Sequence, residues 1–233
     1  MANIIKKAVF DFFDKTLAQE GYVLAVRKWE PASMYEIDLH LPETDLGKWK
    51  TIPRLKIKVA EFEYRDYSPA IWNVERKTCT ILIETGHKGA GSAWVENLNT
   101  GEVFLFGPAH AAPLPPTAGK VLCLGDGSAL GHFMALKLLT DREKNPLDVI
   151  MFLSEEYKIP ESIISAYPEF EFIKQSQGNS LSTLKQWCTK TRNLSEFSVI
   201  YLAGYIPMVK ELRKMFKNDS NVTAKILANG FWS

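Results

Sequence analysis

The feature that most limits the fold is a change of hydrophobic pattern at a proline-rich segment in the middle of the chain. Residues 111–119 contain Pro113, Pro115 and Pro116 and interrupt every periodic pattern around them. Proline lacks the backbone N–H that strand ladders and helices need, so such a segment is typical of a linker. We therefore predict two domains, residues 1–110 and 120–233, joined by this linker.

Before the linker, apolar residues alternate with polar ones. Six short runs are rich in β-branched and aromatic residues and are separated by Pro, Gly, Asp and Asn: 22–29, 34–41, 54–62, 64–72, 78–84 and 102–106. A period of two places every second side chain on one face of a strand. The pattern predicts a six-stranded antiparallel barrel, closed so that no long strand edge is exposed. Apolar residues at helical spacing predict two helices here, one over 4–17 and one over 93–98.

After the linker, buried strands alternate with helices. The predicted strands are 121–124, 147–153, 170–173, 198–202 and 223–227, and the predicted helices are 129–139, 160–166, 181–191 and 207–216. This alternation is typical of an α/β domain, in which right-handed crossovers give a parallel sheet with helices on both faces. Ligands bind such a sheet where the winding reverses, here between the first and fourth strands. The chain therefore reads as a two-domain β plus α/β protein.

Arg65, Tyr67 and Ser68 are the first candidate site residues. Residues i and i+2 share a face of a strand, so Arg65 and Tyr67 can contact the same ligand while Asp66 points away. A guanidinium matches a pyrophosphate, a tyrosine ring can lie against an isoalloxazine, and a hydroxyl can bond the edge of that ring. The group suits a flavin dinucleotide. An edge-strand salt bridge, a core tyrosine and a turn serine are the alternative reading.

A glycine-rich segment follows the predicted strand 78–84. Gly86, Gly89 and Gly91 let the backbone approach a phosphate closely. Ser92 is predicted at the start of a helix, whose N–H groups favour an anion. An ordinary glycine-rich turn with a serine cap would give the same residues.

Two glycine-containing segments end the first and fourth predicted strands of the second domain, at 125–128 and 203–205. Glycine at the carboxyl end of a strand, just before a helix, lets a dinucleotide pyrophosphate reach the helix N-terminus. The full Gly-x-Gly-x-x-Gly fingerprint is not present. Plain strand-to-helix turns therefore remain the alternative.

A row of cations marks the third predicted strand of the barrel. Arg54, Lys56 and Lys58 alternate and so fall on a single face. This face could bind an anionic ligand, and a solvated barrel face is the alternative.

Composition excludes several classes of protein. Lys and Arg total 28 against 27 acidic residues, a net charge of +1, which gives no overall field for nucleic acid or an anionic membrane. The three cysteines and four histidines form no disulfide framework and no metal-ligand spacing. No segment has the apolar length of a signal peptide core or a membrane span. We expect a cytoplasmic protein without a bound metal, and a monomer.

Taken together, the motifs resemble those of the siderophore-interacting proteins, FAD-dependent ferric-chelate reductases related to the ferredoxin–NADP reductase superfamily. The resemblance extends over nearly the whole chain. It rests on the order and spacing of the motifs more than on any one of them. The matching stretches are Arg65–Ser68, Gly89–Trp94, Gly101–Pro108, Gly125–Leu130, Ala203–Gly204 and Gly230–Trp232.

The resemblance implies electron transfer from NADPH or NADH through FAD to a ferric siderophore or similar chelate, with release of ferrous iron. It implies that Tyr67 and Ser68 lie at the reacting flavin ring. The residues it assigns to FAD are Arg65, Tyr67, Ser68, His87, Gly89, Ala90, Gly91 and Ser92, and those it assigns to the nicotinamide nucleotide are Gly125, Asp126, Ser128, Ala129 and Gly204.

Several positions depart from the family pattern. Ala70 stands where an arginine is common, Gly127 replaces a glutamate and Tyr205 replaces another glutamate. Glu155 and Glu156 follow the second strand of the α/β domain, where a carboxylate would repel a 2′-phosphate and so keep NADH open as the donor. These departures leave a second hypothesis, a non-catalytic or ferredoxin-coupled protein that binds FAD or a siderophore. A chain that has lost flavin altogether is a third.

Overall fold

The computed structural model describes residues 18–30, 33–85, 89–116, 118–140, 143–154, 157–175, 186–187 and 193–232. The predicted helix over 4–17, the site residue His87, the pair at 155 and 156 and most of the predicted helix 181–191 lie outside them. The described residues form two compact units. The first unit ends at Ala112. The second unit begins at Pro113 and also includes Trp29.

The described residues of the first unit form an antiparallel sheet of seven strands, with one α-helix before the last strand. The strands are β1 (Gln19–Trp29), β2 (Met34–His40), β3 (Leu55–Ala60), β4 (Glu63–Tyr67), β5 (Pro69–Asn73), β6 (Thr78–Glu84) and β7 (Val103–Pro108), and the helix is α1 (Ala90–Glu96). The structure has one strand more than predicted because the run 64–72 is divided at Ser68. Pro69, which has no N–H to donate, opens the new strand.

The strand order explains the shape of this sheet. Hydrogen-bonded neighbours follow the order β4-β3-β7-β1-β2-β6-β5, so β4 and β5 are the two end strands. These end strands are successive in the chain and are separated by Ser68 alone. The sheet must therefore curl until its two ends come together at one residue. In the structure, the predicted barrel is a curled sheet, or half-barrel, of seven strands.

The alternation in the sequence separates core from surface in the first unit. In β3, Leu55, Ile57 and Val59 are buried, whereas Lys56 and Lys58 are on the other face and partly exposed. The buried residues join one apolar cluster with Val23, Ile37, Leu39, Ile81, Phe104 and Phe106, among others. Half-buried Tyr67 and Trp94 pack against this cluster, so the core supports the candidate site directly.

The second unit is a five-stranded parallel sheet with helices on both faces. Its elements are β8 (Val121–Asp126), α2 (Leu130–Leu139), β9 (Leu147–Ser154), α3 (Glu161–Ala166), β10 (Phe170–Gln175), β11 (Val199–Tyr205), α4 (Ile206–Asn218) and β12 (Lys225–Trp232). The order β10-β9-β8-β11-β12 reverses between β8 and β11, as predicted. Leu122, Leu124 and Ile200 face α4, while Gly125 and Tyr201 face α2. The carboxyl ends of β8 and β11 thus frame the predicted crevice.

In the part of the chain that the structure describes, every helix is too short or too polar to cross a bilayer.

Candidate functional site

The two candidate residues of β4 share a face, as predicted. In the antiparallel register, Ile57 lies opposite Arg65 and Leu55 lies opposite Tyr67. Directly opposed residues point to the same side of a sheet, so Arg65 and Tyr67 occupy the side that carries the apolar core. Asp66 is on the other side, where its carboxylate accepts a bond of 2.7 Å from the Lys56 amine.

The Arg65 side chain is held near the surface. Its guanidinium donates to the Tyr64 carbonyl at 2.8 Å and to the Glu63 carboxylate at 3.1 Å. The arginine and glutamate side chains are both about half exposed, at 48% and 46%. An exposed pair of this kind contributes little stability, so the guanidinium can exchange Glu63 for another anion at low cost.

Helix α1 closes over Tyr67. A Cβ on Gly91 would lie 2.6 Å from the Tyr67 hydroxyl and 3.5 Å from Cγ of Arg65, so only glycine allows this approach. One turn later, Trp94 stacks on the Tyr67 ring with centroids 6.1 Å apart and an angle of 23°. The tyrosine ring is thus fixed by the helix and by the core beneath it.

The chemistry of the Tyr67 hydroxyl follows from this setting. Burial raises the pKa of Tyr67 above its ordinary value, and the Arg65 guanidinium only partly opposes the shift. The phenol is therefore neutral at physiological pH and able to donate a hydrogen bond. Among the described residues, no group takes that bond.

The remaining predicted residues of this group lie around Tyr67. Ser68 is half-buried in the link from β4 to β5. Gly89 precedes α1 with extended backbone and has open space on its Cα, with no described atom within 4 Å of an added Cβ. Ala90 begins the helix, and Ser92 lies in its first turn, only 5% exposed. The structure therefore brings Arg65, Tyr67, Gly91 and Ser92 to one end of α1.

The cationic row lies apart from these residues. Lys56 and Lys58 point to the face of the sheet opposite that of Arg65 and Tyr67, and Arg54 precedes β3. Lys56 is already paired with Asp66. Lys56 and Lys58 share a face, as predicted, and that face is distinct from the one under α1.

In the second unit, Asp126 organises the strand ends. One carboxylate oxygen accepts from the Ser128 N–H at 3.1 Å and from the Ser128 hydroxyl at 2.6 Å. The other accepts from the Tyr205 N–H at 2.8 Å, which joins β8 to β11. Burial raises the pKa of Asp126, and the bonds donated by Ser128 and Tyr205 act in the opposite direction.

The glycines of this crevice are explained by packing within the chain. Gly204 has φ of +118°, and an added Cβ would lie 2.3 Å from the Asp126 carboxylate. At Gly125 an added Cβ would lie 2.7 Å from the methyl group of Ala129 and 2.8 Å from the Phe133 ring. Both positions therefore need glycine whether or not a nucleotide binds.

Two aromatic residues complete the crevice, and sequence reasoning assigned neither to a site. Tyr205 ends β11 and Trp232 ends β12, and their ring centroids are 4.4 Å apart. The Trp232 indole N–H donates to the Ser128 hydroxyl at 3.1 Å. The available sequence signal was an aromatic residue at the end of each of two parallel strands that are neighbours in the sheet.

No group of three or more potential metal ligands occurs in the described ranges of either unit.

Comparison with known proteins gives structural but not sequence relatives. No family model matches the sequence, and no curated protein matches it. Among solved structures, the siderophore-interacting protein of Acinetobacter baumannii is similar with a TM-score of 0.74 and 14% identity, over 92% of this chain and 89% of that one. The siderophore-interacting protein of Aeromonas hydrophila gives a TM-score of 0.70 and 14% identity, over 93% and 91%.

A ferredoxin reductase of carbazole 1,9a-dioxygenase is also similar, with a TM-score of 0.72 and 21% identity over 92% of this chain and 69% of that one. At these identities the similarity establishes the fold. The chain has the two-domain architecture of ferredoxin reductases and siderophore-interacting proteins.

Proposed function

We propose that this protein is an FAD-dependent oxidoreductase that passes electrons from NADPH or NADH to a ferric siderophore or another ferric chelate. The observation that carries the proposal is the convergence of Arg65, Tyr67 and Gly91 at the start of α1, within a fold of the ferredoxin reductase type. Similar proteins are described as siderophore-interacting, which supports the choice of acceptor.

The residues of the first unit fit a flavin dinucleotide. The approach of α1 to β4 leaves no room for a side chain at Gly91, whereas no described atom lies within 4 Å of a Cβ added at Gly89. Arg65 would pair with the pyrophosphate in place of Glu63. Tyr67 would lie against the flavin ring and donate its neutral hydroxyl, and Ser68 would bond the edge of the ring.

The residues of the second unit fit an anionic nucleotide in their donor chemistry. The Ser128 and Tyr205 N–H groups and the Ser128 hydroxyl already hold one anion, the carboxylate of Asp126. Gly125, Ala129 and Gly204 would form the rest of this nucleotide site. FAD supplies, when bound, the conversion of a two-electron hydride donor into a source of single electrons for ferric iron. Orientation of the reactants is the task of the protein, and no side chain has to act as an acid or a base.

The proposed binding site of an anionic ferric chelate is the row of Arg54, Lys56 and Lys58. Lys56 would exchange Asp66 for the chelate, because both side chains of that pair are about one-third exposed, at 36% and 37%.

The first test is the visible spectrum of the purified protein after reconstitution with FAD and anaerobic mixing with NADH or NADPH. We expect flavin to bind, its absorbance to bleach with at least one donor, and the colour to return on addition of a ferric chelate. Tyr67→Phe should bind FAD more weakly because it lacks the hydroxyl. If neither protein binds flavin, the roles given to Arg65, Tyr67 and Ser68 are wrong.

The second candidate function is a non-catalytic or ferredoxin-coupled FAD protein of the same fold. It is favoured by the carboxylate of Asp126, which takes the N–H groups that a nucleotide would need. Flavin that binds but stays oxidised with both NADH and NADPH would support this candidate. Reduction by a ferredoxin and its reductase would then separate a coupled protein from a non-catalytic one.

A further inference from the structure

The ends of β8 and β11 hold an anion that belongs to the chain itself. Asp126 accepts three hydrogen bonds, two from Ser128 and one from Tyr205. All three donors aim at the carboxylate from the strand ends where, in a sheet wound in this way, a dinucleotide pyrophosphate binds. A backbone N–H directed at Asp126 is not available to a phosphate oxygen at the same time.

The local backbone keeps Asp126 in this position. Gly204 comes so close to the carboxylate that an added Cβ would lie 2.3 Å from it. Ser128 is in turn held by the indole N–H of Trp232, whose ring lies against that of Tyr205. The carboxylate is therefore packed between two strand ends and is not a freely rotating surface group.

Charge acts in the same direction as hydrogen bonding. A carboxylate and a pyrophosphate at the same strand ends repel each other, and in a partly buried setting the repulsion is screened less than in water. Ser128, Tyr205 and Trp232 are uncharged and therefore do not offset this repulsion.

We infer that Asp126 is a specificity-determining residue that occupies the phosphate position of the β8–β11 crevice and weakens the binding of pyrophosphate-bearing nucleotides. This inference rests on the proposed function, because it concerns the same nucleotide site. Binding of a nicotinamide nucleotide requires Asp126 to leave its three donors. A side chain without the carboxylate charge holds these donors more weakly, because hydrogen bonds to an ionised acceptor are the stronger ones.

The test is calorimetric titration of the full chain with oxidised NADP⁺ and NAD⁺, so that no electron transfer is involved. Asp126→Asn keeps the shape of the side chain and removes its charge. We expect it to bind at least one nucleotide about tenfold or more tightly than the unaltered protein does. Asp126→Ser, which leaves a short acceptor for the Ser128 N–H, should give the same direction and serves if the asparagine variant is poorly folded.

Asp219→Asn is the matched control. Asp219 also accepts from the N–H two residues later, that of Asn221 at 2.9 Å, so the control repeats the change of charge and turn away from the crevice. Its nucleotide affinity should equal that of the unaltered protein. Equal or weaker binding by both folded Asp126 variants, including no binding at all, would overturn the inference. FAD binding, read from the visible spectrum of the same samples, tests the proposed function separately.

Discussion

Tyr67 and Asp126 lie in comparable places, and their hydrogen bonding differs. Each is the last residue of a strand, and each is approached by a glycine that admits no Cβ. The Tyr67 hydroxyl donates to nothing among the described residues, whereas Asp126 is saturated by Ser128 and Tyr205. The first place leaves a donor that a ligand could use, whereas the acceptor at the second is already bonded within the chain. A glycine that permits close approach therefore does not by itself indicate a ligand.

The largest effect should come from Gly204→Ala. The new methyl group would overlap the Asp126 carboxylate, and φ of +118° is strained for alanine. We expect the free energy of unfolding to fall by about 3 kcal/mol, measured by denaturant titration. Gly101→Ala is the control, because Gly101 also has positive φ, at +90°, but has open space. Equal losses in the two variants would show that backbone strain, and not contact with Asp126, accounts for Gly204.

Gly91→Ala tests the other side of the comparison. An added Cβ 2.6 Å from the Tyr67 hydroxyl must push the ring or α1 away. We expect FAD affinity to fall about tenfold, equivalent to about 1.4 kcal/mol, measured by flavin fluorescence. Unfolding free energy should change less than in Gly204→Ala, because Gly91 does not have the positive φ that strains alanine at Gly204. Unaltered flavin binding in a folded Gly91→Ala variant would show that α1 is not part of the flavin site.

The Tyr67 phenol should also make stability depend on alkaline pH. Because its pKa is raised in the folded state, the unfolded chain loses the phenol proton first, at about pH 10. This contribution to stability is complete below that pH and declines above it, by up to about 1.4 kcal/mol per pH unit. Between about pH 9 and pH 11, stability should therefore fall about 1 kcal/mol further in the unaltered protein than in Tyr67→Phe. Parallel curves for the two proteins would contradict the burial of the phenol.

The smallest effect on stability should be that of Lys56→Gln. The pair with Asp66 is exposed, so its loss should change the free energy of unfolding by less than about 0.5 kcal/mol. If the cationic row binds the chelate, the KM for an anionic ferric chelate should rise severalfold while kcat is little changed. An unchanged KM for anionic chelates would remove Lys56 from the substrate site.

Local patterns in the sequence predicted most of the fold. The alternation of apolar residues located β6 with its bounds, Thr78–Glu84, and the strand-helix alternation gave the order of the second unit and its winding reversal. The split at Ser68 was missed because aromatic residues on both sides of it, Tyr67 and Trp72, suggested one strand, although Pro69 opens a new one. Whether such a run pairs with one neighbour or two depends on β3 and β6, which lie elsewhere in the chain.

The candidate sites were also predictable to different degrees, because one depends on neighbouring residues and the other on contacts between distant parts of the chain. Arg65 and Tyr67 are two residues apart, so the period of a strand was enough to place them on one face. The role of Asp126 depends on Tyr205, which is far away in sequence, and on a bond from Trp232 to Ser128 across most of the second unit. No local pattern reports such contacts, so the sequence could not show that packing within the chain also requires the glycines around them.

The curled order of the first sheet has a consequence for synthesis of the chain. β1 is the first described strand, and its partner β7 is the last strand of the unit, with Gln19 opposite Phe106. β3 also pairs with β7, through Ile57 and Phe106. On the ribosome, β1 and β3 must therefore wait for nearly the whole unit to emerge before their shared neighbour arrives. Such non-local pairing folds slowly, so the nascent first unit would depend on protection of these two strands until β7 joins them.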